Sequence, residues 1–279
     1  LIYPDAGVTL RSEEASTVVD LRPILDDLAA ECRRLDDIVA GPDTDWATPT
    51  PAEGWAIADQ IAHLAWTDSR ALLSVRTPDE FDEEIKRALL GGEDYVHNEA
   101  LEWGRTPRDE LLARWRAGRD ELAAALREAP PGAKFPWYGP PMSAASMATA
   151  RLMETWAHSQ DVHDALGLRH EPGTGLRQIA RFGVRTRDFA FSVHSLAPPT
   201  EEFRVELRAP DGQLWTYGPE DAAQRVTGSA LDFCLVVTQR RHLADTDLVA
   251  TGPDAEEWLR IAQAFAGQPG EGRKPGQFG

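Results

Sequence analysis

The apolar period changes once along this chain, near residue 197, and that change constrains the fold more than any other feature. Before it, apolar residues recur every three to four positions. Leu21, Ile24, Leu25, Leu28, Leu35 and Ile38 mark a first helix over 20–40, with Asp20 at its cap. Ile57, Ile61, Leu64, Leu72 and Leu73 mark a second over 56–75. A less regular helical stretch covers 79–103, and further helices are expected over 107–129, 143–166 and 176–194. After the change, Phe203, Val205 and Leu207 alternate with charged residues, and Asp211-Gly212 ends the run as a hairpin signal. QLWTYG and AAQRVTG read as further strands, 229–240 and 254–265 as helices, and DTDLVATG as a short strand. The expected class is α+β: an N-terminal four-helix bundle with extra helices, and a small C-terminal mixed α/β domain. The boundaries read as a flexible leader over 1–18, the bundle over 19–197, the α/β domain over 198–267 and a disordered Gly/Pro-rich tail over 268–279.

Charge narrows the partners. The net charge is −17, whereas nucleic acid and anionic membranes call for a basic surface. No apolar run approaches ~18 residues, so no membrane span is expected. Nor does a basic stretch followed by an apolar core open the chain, so a cytoplasmic protein is expected. Cys32 and Cys234 each lie in an apolar helical pattern, as buried thiols in a reducing compartment do. Lysine occurs only at Lys86, Lys134 and Lys274, a bias towards arginine that suggests a GC-rich coding sequence.

Two polar features interrupt the apolar helix faces. In RLMETWAHSQD, Glu154 and His158 stand four apart, so they lie within about 40° of one another on the helix. In DQIAHLAW, His63 falls inside the face formed by Ile57, Ile61 and Leu64. Each alone has a bland reading: His63 as a hydrogen-bonded core residue, Glu154 and His158 as a surface pair. Together, on facing helices of a bundle, two imidazoles and a carboxylate make three ligands for Zn²⁺ or a similar ion, with a fourth position open. Asp161 shares the face of Glu154 and is placed to orient an imidazole. His163 points about 140° away from His158. His97, His170, His194 and His242 have no ligand-like spacing.

TPAEGWAIADQIAHLAW and TARLMETWAHSQDVHDALG resemble the two signature segments of the mycothiol-dependent maleylpyruvate isomerase family, within the DinB-like metalloenzyme superfamily. The match runs through Gly54-Trp55, Asp59, His63-Leu64, Glu154, His158 and Asp161. It implies a DinB-like bundle with an appended C-terminal domain, and a divalent metal, usually zinc, on His63, Glu154 and His158. WYGPPMSAASMATARLMETWAH and PEDAAQRVTGSALDFCLVVTQRRH are similar to a subgroup described mainly as metal-binding proteins of unassigned reaction.

The resemblance further implies mycothiol as cosubstrate, with the thiol activated at the open metal position for addition to a small electrophilic substrate. It also implies a basic residue from the C-terminal domain. Arg225, Arg240 and Arg241 are the candidates, since a guanidinium fork matches a carboxylate. Trp137 and Tyr138, in the rigid loop WYGPPMS, are candidates for the entrance to the site. Asp59 is a candidate proton donor, or else a helix-start carboxylate. The expected partners are a small-molecule substrate and a low-molecular-weight thiol, with the chain a monomer or weak homodimer. Three other readings stand beside this one. They are a hydrolase using metal-bound water, a metal- or small-molecule-binding protein without activity, and a non-haem Fe(II) oxygenase.

Overall fold

The computed structural model describes residues 20–267, 270 and 272–278. The leader expected over 1–18 lies outside the described residues. Two compact units divide the described chain between Glu171 and Pro172.

The first unit holds α1 (Arg22–Val39), α2 (Ile57–Arg76), α3 (Pro78–Gly91), α4 (Tyr95–Gly104), α5 (Arg108–Glu128) and α6 (Ala144–Leu166). A small ribbon of β1 (Lys134–Phe135) and β2 (Met142–Ser143) precedes α6. The irregular stretch expected over 79–103 is two helices, α3 and α4, because Gly92 at φ +67° ends the first. α2 is central and packs on α3, α4, α5 and α6, while α1 packs on α6. Pro23 opens α1, whose N-cap is Leu21 rather than Asp20. Asp20 instead accepts from the backbone N–H and guanidinium of Arg22.

α6 explains why its sequence looks both buried and polar. Ser143 caps it by accepting from the N–H of Ser146. Gly167 ends it in the left-handed conformation at φ +64°, where Leu168 N–H returns to His163 O at 2.9 Å. Every residue from Met147 to His163 except Ala150 and Glu154 is buried. A helix buried on all sides gains by pairing the polar groups it carries, and on α6 most are paired, though Arg151 Nη2 and Trp156 Nε1 find no partner among the described residues. Arg151 pairs with Asp68 of α2, and Gln160 accepts from His170, which also meets Glu31 of α1.

The second unit holds α7 (Leu176–Arg185), α8 (Arg187–Val193), β3 (Phe203–Arg208), β4 (Leu214–Tyr217), β5 (Gln224–Ser229), α9 (Ala230–Val237), β6 (Val249–Thr251) and α10 (Pro253–Ile261). The sheet order is β4-β3-β5-β6, with β3 and β5 parallel and the outer pairs antiparallel. Its core side presents Phe203, Val205, Leu207 and Val226, and Phe233 and Trp258 meet edge to face. The expected bundle ran to residue 197, but α7 packs on α9 and α8 on α10. Helical period alone does not say which neighbour a helix will choose. Part of the tail expected to be disordered is engaged: Gly276 N–H donates to the Asp245 carboxylate, and the Arg241 guanidinium lies 4.5 Å from the Phe278 ring. No helix among the described residues is long and apolar enough to cross a membrane.

Candidate metal centre

Three side chains from two helices converge inside the first unit. His63 projects from α2, and Glu154 and His158 from successive turns of α6. Glu154 Oε2 lies 3.2 Å from His158 Nε2 and 3.5 Å from His63 Nε2. The two imidazole centroids are 4.5 Å apart. Both histidines are buried, and the Glu154 side chain is one-fifth exposed. This is the single group of three or more His, Cys, Asp or Glu ligands so arranged among the described residues.

The donors suit a divalent ion. Ligand atoms ~2.0–2.1 Å from a tetrahedral zinc lie about 3.3 Å from one another, close to both separations here. Burial pushes the Glu154 carboxyl up, but the adjoining imidazoles, His158 first and then His63, outweigh it and hold the acid well below its usual value. The group is therefore an anionic oxygen between two nitrogen donors. That set also matches zinc in ligand type, three protein donors being one fewer than a tetrahedral ion takes.

The surroundings of the two imidazoles differ. His158 Nδ1 lies 2.5 Å from Gln60 Oε1. His63 Nδ1 is buried and has no hydrogen-bond partner among the described residues. The Trp55 ring stands over both, with centroids at 5.3 Å from His63 and 5.9 Å from His158. Its indole N–H donates to His97 Nδ1 at 2.9 Å. The loop before α2 places this ring. Gly54, at φ +78°, makes a turn disfavoured for other residues, and Pro49 bridges to Ala56 across it.

The other candidates from the sequence sit as follows. Asp59 accepts from the Ala56 backbone N–H at 2.8 Å, so its carboxylate serves the start of α2. Tyr138 is buried and donates to Glu84 Oε1 at 2.8 Å, and Trp137 stacks on Phe81 at 5.6 Å. Both belong to an aromatic cluster with Trp66 and Phe81, so the rigidity of their loop comes from core packing. Arg225 pairs with Glu206 at 3.1 Å and donates to Glu220 O. Arg240 donates to Thr238 O, and Arg241 to Arg240 O. Asp161 is fully buried, and the acceptor on His158 Nδ1 is the Gln60 amide. Gln60 did not stand out in the sequence. Its one signal was a polar residue three before His63, inside the same apolar face.

A family model described as "Mycothiol maleylpyruvate isomerase N-terminal domain" matches residues 28–163, which include His63, Glu154 and His158. Two Mycobacterium tuberculosis proteins, the uncharacterized proteins MT0041 and Rv0036c from different strains, are each 54% identical over 257 residues. That alignment spans 92% of this chain and the whole of each relative. The chain belongs to the mycothiol maleylpyruvate isomerase-like family. This family member also shares its fold with a crystal structure of the mycothiol-dependent maleylpyruvate isomerase. The TM-score is 0.55 at 18% identity, covering 86% of this chain and 98% of the other. A mutant of that enzyme gives a TM-score of 0.54 at 17% identity, with the same coverage. The fold is thus a DinB-like helical bundle followed by a mixed α/β domain. In the second unit, residues 199–251 match a family model described as "Wyosine base formation".

Proposed function

We propose that this chain is a divalent-metal-dependent enzyme of the mycothiol-dependent isomerase or S-transferase type. In this reading His63, Glu154 and His158 hold a zinc ion. The carrying observation is the convergence of these three donors at tetrahedral ligand spacing, inside the segment that matches the isomerase N-terminal domain. A zinc ion bound there supplies Lewis acidity that lowers the pKa of a coordinated thiol towards neutrality.

The residues of this chain do the rest. His63 and His158 present Nε2, and Glu154 contributes one negative charge, so a dication keeps a net positive charge that favours an anionic fourth ligand. The Trp55 ring beside both imidazoles is an apolar wall that would limit water around a thiol bound there. Substrates of the type expected carry an electron-poor double bond. The thiolate adds to one carbon, the resulting single bond rotates, and elimination returns the thiolate.

The test is metal content by mass spectrometry on the purified protein, followed by calorimetric titration with mycothiol. About one zinc per chain and thiol binding that disappears with the metal are expected. His63→Ala and His158→Ala should each abolish stoichiometric metal while the fold survives. Zinc without thiol binding would instead favour hydrolysis by metal-bound water, or a metal-binding protein without activity.

A further inference from the structure

Resting on that metal-site reading, we infer that Gln60 is a positioning residue that fixes the proton of His158 on Nδ1 and ties this ligand to the loop carrying Trp55. The observation is a directed chain of hydrogen bonds behind the site. Gln60 is fully buried on α2, three residues before His63. Its Oε1 lies 2.5 Å from His158 Nδ1, and its Nε2 donates to Thr50 Oγ1 at 2.8 Å. The Thr50 hydroxyl in turn donates to Trp55 O at 2.9 Å, which also receives the Thr50 N–H at 2.8 Å.

Direction follows from donor counting. The Thr50 hydroxyl has one proton, and it goes to the Trp55 carbonyl, so from Gln60 it accepts. The Gln60 amide therefore turns its NH₂ to Thr50 and its oxygen to His158. An amide oxygen only accepts, so His158 Nδ1 carries a proton. That frees Nε2 to offer its lone pair on the side where Glu154 and His63 Nε2 converge. With the amide reversed, Nδ1 would accept and the ring proton would sit on Nε2. That proton would point at Glu154 and close the nitrogen to a cation.

The arrangement is one-sided. His63 has no comparable partner on Nδ1 among the described residues, so the tautomer is built in at one ligand only. It also makes the loop over 49–56 continuous with the metal site. The carbonyl that ends the chain belongs to Trp55, whose ring stands over both imidazoles. A change at Thr50 is thus felt at His158 through two hydrogen bonds.

The test uses the full chain labelled with ¹⁵N-histidine, together with zinc titrations of four proteins. In metal-free wild type, His158 Nδ1 should carry a slowly exchanging proton, whatever the state of Nε2. With zinc added, Nδ1 should keep that proton and Nε2 should be the coordinated nitrogen. Gln60→Leu should lose the slow exchange and bind zinc ~10- to 100-fold more weakly. Gln60→Glu retains an acceptor and should restore both. Thr50→Val should weaken zinc ~2- to 10-fold, since one orienting hydrogen bond is lost. A bare His158 Nδ1 in the metal-free protein, zinc on Nδ1, or unchanged zinc affinity in Gln60→Leu would each overturn the inference. Should Gln60→Leu fail to fold, the wild-type spectrum and Gln60→Glu still decide it. The metal-site reading fails separately, by wild-type zinc affinity in His63→Ala. An Nδ1 proton that survives such a result would leave the Gln60 contact intact and remove its role at a metal.

Discussion

Arg151 and Asp68 form an ion pair inside the bundle, with Arg151 Nε donating to Asp68 Oδ1 at 2.8 Å and both side chains no more than one-twentieth exposed. It joins α6 to α2, the two helices that also bring Glu154 and His158 to His63. Arg151 is one turn before Glu154, so the pair braces the spacing of the site from below. Burial raises the Asp68 carboxyl even though Arg151 works against it. Removing one partner leaves the other charge buried and unpaired. Asp68→Ala is expected to destabilise the protein by about 3–5 kcal/mol, measured by urea denaturation. A loss under ~1 kcal/mol would mean that water reaches Arg151 when the carboxylate is gone.

Metal should act as a folding ligand. Zinc at ~100 times its Kd adds about 2.7 kcal/mol to the native state. With roughly 2–4 °C per kcal/mol for domains of this size, the melting temperature should rise by about 5–10 °C. A chelator should reverse the shift, and His158→Ala should abolish it. Differential scanning calorimetry with and without zinc is the measurement.

A buried Glu31–His170–His163 stack should make stability depend on pH. Burial pushes the Glu31 carboxyl up, but the His170 hydrogen bond and charge, then Arg34, hold it below its usual value. Its stabilisation is present above the unfolded value, ~4.3, and is lost as pH falls through the lower folded value. Burial, aided by the His170 charge, lowers the His163 pKa. Its ring stacks on that of His170, with centroids 4.3 Å apart. Below ~6.5 the unfolded chain takes up a proton that folded His163 refuses, so stability falls as pH falls through that window. His163→Asn should flatten the slope between about pH 6.5 and 5, and Glu31→Gln should flatten it below about 4.3. Urea midpoints across pH 3–8 read both.

The two thiols should be inert in the native protein. Cys32 and Cys234 are free and buried. Burial, then the Asp68 charge, pushes the Cys32 thiol up to about 12, and burial raises Cys234 well above its usual value. Neither should react with a thiol-specific chromogenic reagent at pH 8 until denaturant is added. Fast labelling of the native chain would show that α1 or α9 opens locally.

Much of the architecture could be read without coordinates, because it depends on neighbours in the chain. The helical period through Val193, the alternation of Phe203, Val205 and Leu207, and the Asp211-Gly212 turn are local signals, and most elements lie within a few residues of their expected places, although the one helix expected over 176–194 is two, α7 and α8, parted at Thr186. Glu154 and His158 are likewise one helical turn apart by sequence alone. Tertiary structure decided what meets what. It brought His63 to that turn, and it gave His158 the Gln60 amide, a partner that no spacing within α6 could show. It put Tyr138 on Glu84, 54 residues away, and His170 on Glu31, 139 residues away. It also assigned α7 and α8 to the second unit. Periodicity tells which face of a helix is apolar, but a buried polar group is satisfied by whichever partner packing brings within reach. That partner is set by the crossing of helices far apart in sequence, which local pattern does not encode.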